Sequence, residues 1–128
     1  MDGLADTSVF IATESGRSLG ISALPESLVV SIITIGELRA GVLAADDPIQ
    51  RDRRLSTLTW ALRLEPVPVD DGIAQSWARL RVQLRDLGRR MPINDSWIAA
   101  TAIALDIPVV TQDDDYSVGV PELQVIRV

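Results

Sequence analysis

The chain of 128 residues contains no cysteine and no histidine, and its twelve basic side chains are all arginine. The lack of cysteine removes disulfides, thiolate nucleophiles, Cys-ligated zinc and iron–sulfur clusters. The lack of histidine removes imidazole bases, Ser-His-Asp triads and His-ligated zinc. With no lysine there is neither a Schiff base nor a P-loop. Carboxylate, hydroxyl, guanidinium and the single phenol of Tyr116 remain for chemistry. Carboxylates suit hard, oxygen-seeking cations such as Mg²⁺ or Mn²⁺.

A membrane-spanning run is also missing. The longest stretch of low charge, residues 28–45, carries Glu37 and Arg39 near its middle, and each would cost about 2.5–3.5 kcal/mol at a bilayer centre. Residues 1–6 hold two aspartates and no basic segment of the kind that opens a signal peptide. A soluble, cytoplasmic protein without membrane contact is the expectation, and the absence of cysteine is compatible with a reducing compartment.

At 47% hydrophobic residues, the chain has the material for one core, burying roughly two thirds of its unfolded surface. There is no internal repeat or linker, so residues 1–128 are expected to form one domain. Gly3-Leu4-Ala5 predicts a first strand, and Asp6-Thr7-Ser8 offers cap oxygens for a helix through Val9, Phe10 and Ile11. Leu28-Val29-Val30 predicts a buried strand leading into a helix over 32–45. Leu55, Leu58 and Leu62 give a helical face over 49–63. Val67 and Val69, between two prolines, suggest a short edge strand.

From Asp70, a helix cap, Ile73, Trp77, Leu80, Leu84 and Leu87 recur at helical spacing up to Gly88. Asn94 or Asp95 is expected to cap a helix to Leu105, and Val109-Val110-Thr111 and residues 123–128 are the last strands. Apolar strands alternating with helices predict an α/β fold: a central, mostly parallel sheet of four to five strands flanked by helices.

In such sheets ligands bind beyond the carboxyl ends of the strands. Asp6 and Asp113 directly follow strand candidates and should point into that crevice. Each acid also has a local explanation. Asp6 can serve as a cap, Asp95 can face a helix dipole, and residues 113–115 can form a solvated turn. Glu37 is harder to place, since Ile33, Glu37, Ala40, Gly41 and Ala44 share a small-residue helix face expected to be packed. A carboxylate there must reach water, find a cation such as Arg39, or ionise beside a metal. Four acids gathered in one partly buried crevice would repel one another by on the order of several kcal/mol unless a divalent cation neutralised them. Mg²⁺ so held activates water and polarises a phosphodiester without histidine or cysteine.

Four local patterns run along the chain in order: Ala5-Asp6-Thr7-Ser8, Thr34-x-x-Glu37-Leu38-x-x-Gly41, Asn94-Asp95-x-x-Ile98-Ala99-Ala100 and Val110-Thr111-x-Asp113-x-Asp115-Tyr116. In order and context the chain resembles PIN-domain nucleases, specifically the VapC-like toxins of toxin–antitoxin pairs. The resemblance implies that Asp6, Glu37, Asp95 and Asp113 hold Mg²⁺ or Mn²⁺, with Asp115 as a further ligand or water-positioning group. It implies hydrolysis of RNA by an in-line water, an antitoxin partner resembling VapB, and a two-fold homodimer. Ser8 and Thr111 would be hydroxyls near the metal or substrate, or else simply cap and turn residues. The chain departs from the family in having Tyr116 where Phe is common and Gly36 where Ala is frequent. Its Asp113-Asp114-Asp115 run leaves the fourth acid open.

A net charge of −6 runs against RNA binding, which draws on phosphate neutralisation. One bound divalent cation brings it to −4 and two to −2. Arg79, Arg81, Arg85, Arg89 and Arg90 crowd twelve residues, with Arg51, Arg53 and Arg54 as a second group. Arg85 and Arg89 are candidate phosphate contacts, with a solvated helix face as the plain alternative. Other acidic sites fail on residues. A receiver domain needs lysine, a haloacid dehalogenase needs Asp where Ser8 stands, an integrin-type site needs Ser where Phe10 stands, and an EF-hand loop from Asp113 needs Gly where Val118 stands. Two further classes remain: a non-catalytic α/β protein-binding module, and a DNA-directed nuclease of the same chemistry.

Overall fold

The architecture comes from a computed structural model that describes residues 2–128. In chain order the elements are β1 (Asp2–Ala5), α1 (Thr7–Glu14), a 3-10 turn (Ile21–Ala23), β2 (Ser27–Val30), α2 (Ile32–Leu43), α3 (Pro48–Leu62), α4 (Asp71–Leu87), α5 (Ile93–Leu105), β3 (Val109–Thr111) and β4 (Val125–Arg127). The strands form a four-stranded sheet in the order β2-β1-β3-β4, parallel at every pairing. The expected α/β fold is therefore found, with four strands.

Neighbouring residues of a strand point to opposite faces, and both faces of this sheet are covered. Leu4 and Val109 join Ile73, Leu80, Leu84 and Ile98 in one core, beneath α4 and α5. Ala5 and Val110 join Val9, Phe10, Ile35 and Leu58 in the other, beneath α1, α2 and α3. Strands of three or four residues contribute few ladder bonds, at about 1 kcal/mol net each. A fully buried Leu or Val contributes about 1.5–3 kcal/mol, so the two cores hold the sheet more than its ladders do. Trp77 of α4 stacks on Trp97 of α5 with ring centroids 4.3 Å apart, and its indole donates to Ser96 Oγ at 3.0 Å. A Cβ on Gly3 would stand 2.6 Å from Pro25 Cγ and 2.7 Å from Val110 Cγ2, so β1 packs this closely only with glycine.

Four expectations are corrected. The Val67 and Val69 segment is no strand of the sheet. Val67 makes one parallel bridge, to Ser31, donating to Val30 O and accepting from Ile32 N, both at 2.9 Å. Pro66 and Pro68 have no N–H, so the ladder cannot extend past it. The last strand shrinks from 123–128 to Val125–Arg127. Neither Asn94 nor Asp95 caps α5: the cap position is Pro92, without a side-chain bond, and its carbonyl accepts from Ser96 N at 2.9 Å. Asp95, one turn in, is thereby free of capping. Finally, the face of α2 that carries Glu37 is not packed throughout. Ala40 and Ala44 are exposed, and Gly41 meets only the Arg54 side chain within 4 Å of where a Cβ would stand. Among the described residues no helix is long and apolar enough to cross a membrane.

Candidate active site

Because β1 and β3 lie side by side with Ala5 opposite Val110, the residues that follow them emerge together. Asp6 N donates to Val110 O at 3.0 Å, which ties the two exits. Asp6 is also the N-cap of α1, its side chain accepting from Ser8 N at 3.1 Å. The capping role and the crevice role thus fall on one residue. A cleft of about 390 Å³ opens there, lined by Asp6, Thr7, Ser8 and Ile11 of the β1–α1 corner, with Arg17, Glu37, Pro92, Asp95, Asp113 and Asp115. A larger concavity, of about 650 Å³, lies along α4 and holds Glu122 as its one acid, so size does not mark the chemistry.

Asp6 is nearly inaccessible, at 2% exposure. Its Oδ1 accepts from Ser8 Oγ at 2.5 Å and its Oδ2 from Thr111 Oγ1 at 2.7 Å. Those hydroxyls are held in turn, Ser8 Oγ accepting from Gln112 N at 2.9 Å and Thr111 Oγ1 from Asp113 N at 2.9 Å. Both hydroxyl protons are spent on Asp6, so the 3.3 Å approach of Ser8 Oγ to Thr111 Oγ1 is proximity rather than a further bond. Burial pushes the Asp6 carboxyl up, the Ser8 and Thr111 bonds oppose that, and the charge of Asp113 adds to it. On the opposite side Thr7 Oγ1 donates to Glu37 Oε1 at 2.7 Å.

Asp95 is half-buried at the start of α5. Desolvation, then the hydrogen-bonding contact and charge of Asp115, then the charges of Asp6 and Glu37 push it up to about 7. Beneath lies Tyr116, 1% exposed, whose hydroxyl has no hydrogen-bond partner of good geometry among the described residues. Burial first, and then the charges of Asp6 and Asp95, raise its pKa further above the phenol range, so it remains a neutral donor.

The cleft therefore gathers Asp6, Glu37, Asp95, Asp113 and Asp115 with Ser8, while Thr111 stands behind Asp6. Asp114 is turned away and paired with Arg127. Arg85 and Arg89 are not in the cleft; they line a separate concavity at the end of α4. Sequence reasoning missed Arg17 and Thr7. Thr7 was within reach of it, being the neighbour of Asp6, whereas Arg17 comes from the loop after α1, where no periodicity applies. Among the described residues no three carboxylates already stand at metal-ligand spacing. The donor set still fits a hard divalent cation. Its oxygens share one cleft, Arg17 is the one cation among the lining residues, and burial first, with neighbouring carboxylate charge added to it, raises Asp6 and Asp95.

Comparison with known proteins agrees with this fold. The PIN domain family model matches residues 4–119. Ribonuclease VapC5 of Mycobacterium tuberculosis (strain ATCC 25618 / H37Rv) is 49% identical over 128 residues, covering 98% of this chain and 95% of that protein. Ribonuclease VapC4 of the same strain is 47% identical over 125 residues, with the same two coverages. The crystal structure of VapBC-5 from Mycobacterium tuberculosis, a member of the VapBC family of toxin–antitoxin systems, matches with a TM-score of 0.92 and 44% identity, over 99% of this chain and 98% of that one. The chain belongs to the PIN-domain family, among its VapC-like members.

Proposed function

We propose that this chain is the toxin of a toxin–antitoxin pair, an endoribonuclease that hydrolyses RNA phosphodiester bonds with Mg²⁺, or Mn²⁺ in its place. The observation that carries the reading is the meeting of Asp6, Glu37, Asp95, Asp113 and Asp115 on one cleft, where Asp95 is pushed up to about 7. A divalent cation held by Asp6, Glu37, Asp95 and Asp113, with Asp115 beside them, would supply an activated water and polarise the scissile phosphate. Ser8 and Thr111 hold both oxygens of Asp6 in place, and Thr7 holds Glu37. Asp95, pushed up while no cation is bound, would give up its proton when it ligates the cation. Arg17 offers its charge to a phosphate in the cleft.

The partner reading draws on the VapBC relative and on apolar surface. Leu43, at 85% exposure, and Ile49, at 75%, flank the α2–α3 turn and suit burial by an antitoxin of the VapB kind. A two-fold homodimer completes the assembly.

The test is cleavage of structured RNA by purified protein. Mg²⁺ or Mn²⁺ is required, a chelator abolishes cleavage, and Asp6→Asn and Asp95→Asn each lower the rate at least about a hundredfold. Unchanged rates in both variants overturn the assignment. Equal cleavage of DNA at matched salt turns it toward the DNA-directed nuclease. No melting shift with Mg²⁺ or Mn²⁺ together with no cleavage leaves the protein-binding module.

A further inference from the structure

The acidic cleft offers RNA little more than a bound cation and Arg17, so further phosphates call for a grip outside it. Helix α4 ends at Gly88, whose φ of 64° is left-handed, and Arg89 N donates back to Leu84 O at 2.9 Å. This reversal, which glycine permits at little cost, folds Arg89 and Arg90 beside Arg81 and Arg85. The four arginines line a concavity of about 370 Å³ together with Leu84 and Met91, both of them buried. Had the helix continued, the last two would have been carried onward along its axis.

Two of the four arginines have local partners. Arg85 pairs with Asp86 at 3.2 Å, and the Arg81 guanidinium lies 5.5 Å from the centroid of the Trp77 ring. Arg89 and Arg90 have no ion pair among the described residues. Like charges around one hollow repel, and a bound anion relieves them. The hollow also adjoins the cleft: Met91 lines one and Pro92, the next residue, lines the other.

We infer that this arginine-lined concavity binds the phosphates of single-stranded RNA whose neighbouring nucleotides enter the acidic cleft, a role that rests on the nuclease reading. Guanidinium groups grip phosphate through paired N–H donors. Leu84 and Met91 are buried beneath the arginines, so what the hollow offers a strand is charge. A positively charged groove beside the cleft is the part of a single-strand site that tracks the backbone.

The experiment measures equilibrium binding of a short fluorescein-labelled single-stranded RNA of mixed sequence, with inorganic phosphate and a polyglutamate peptide as competing probes. The Asp6→Asn protein serves as the parent, so that RNA stays intact. Arg89→Gln with Arg90→Gln is expected to weaken RNA binding about tenfold and to lower the slope of log K against log salt by about 1.4, two contacts at about 0.7 each. An unchanged melting temperature shows that the variant is folded. Unchanged affinity and slope overturn the proposal. So does a loss confined to polyglutamate, which would make the hollow a docking site for an acidic protein segment, or a loss confined to inorganic phosphate. The nuclease reading fails separately, through absence of cleavage by the unmodified chain, whatever the binding arm returns.

Discussion

The two walls of the acidic cleft are built on different principles. On one wall Asp6 is 2% exposed, and both of its oxygens accept hydrogen bonds from hydroxyls that are themselves fixed by backbone donors. On the other, Asp95 is half-buried and its neighbour Asp115 is exposed. Their mutual charge is balanced by nothing but Arg17 among the residues that line the cleft. A carboxylate needs fixed donors when water cannot reach it, and needs none when water can. The buried wall thus holds its geometry before any cation arrives. The exposed wall has no such donors, and among the described residues no three carboxylates stand at metal-ligand spacing.

The sharpest way to break the buried wall is Thr111→Val. Thr111 is fully buried, and its hydroxyl both donates to Asp6 and accepts from Asp113 N, so the variant strands one buried acceptor and one donor at nearly constant shape. Urea unfolding is expected to show a loss of about 1–3 kcal/mol, and Mg²⁺ titration a weaker affinity. Ser8→Ala should cost less, because Asp6 Oδ1 keeps the Ser8 backbone N–H at 3.1 Å. If Ser8→Ala proves the more damaging of the two, Asp6 is held mainly by its cap and not by β3.

Much of this contrast was legible in the residues, but unevenly. The spacing of Ile73, Trp77, Leu80, Leu84 and Leu87 marked α4, and the apolar runs marked β1 and β3, because periodicity reports burial directly. That Asp6 and Asp113 would meet followed from the parallel sheet rule. The burial of Asp6 was not legible, since it depends on Thr111 arriving from more than a hundred residues away. Nor was Pro92 as the start of α5: Asn94 and Asp95 have the side chains of caps, and only the extended backbone of Pro92 shows that the turn begins earlier. No spacing in the sequence places Arg85 and Arg89 in a hollow beside the cleft, meeting it at Met91 and Pro92, because that depends on the turn at Gly88.

The exposed wall is tested through protons. Asp95 has a folded value of about 7 against an ordinary 3.8. Between these values the folded chain holds a proton that the unfolded chain has lost. Stability without metal therefore falls as pH rises from about 4 to about 7 and then levels; the upward shift of Asp6 adds to the fall with the same sign. Stabilisation by Mg²⁺ grows over the same window, because cation and proton compete for one carboxylate. Melting curves across pH, with and without Mg²⁺, follow both. Asp95→Asn flattens the metal-free decline. Asp115→Asn moves it to lower pH, because Asp115 is the strongest neighbour holding Asp95 up. A decline that Asp115→Asn leaves in place assigns the shift to burial and to the charges of Asp6 and Glu37.

Tyr116→Phe carries the smallest expected effect and asks where the buried wall ends. The Tyr116 hydroxyl is inaccessible and has no partner of good geometry among the described residues, while Asp6 and Asp95 are close enough for their charges to keep it protonated. Removing an unsatisfied buried hydroxyl relieves its desolvation cost and leaves a void of a single oxygen. Metal-free stability should therefore hold or rise by up to about 1 kcal/mol, read by urea unfolding. A fall of similar size would mean that the phenol donates to Asp95 in solution. Asp95 would then have a fixed donor of its own, as Asp6 does, and the pre-arranged part of the cleft would reach across to α5.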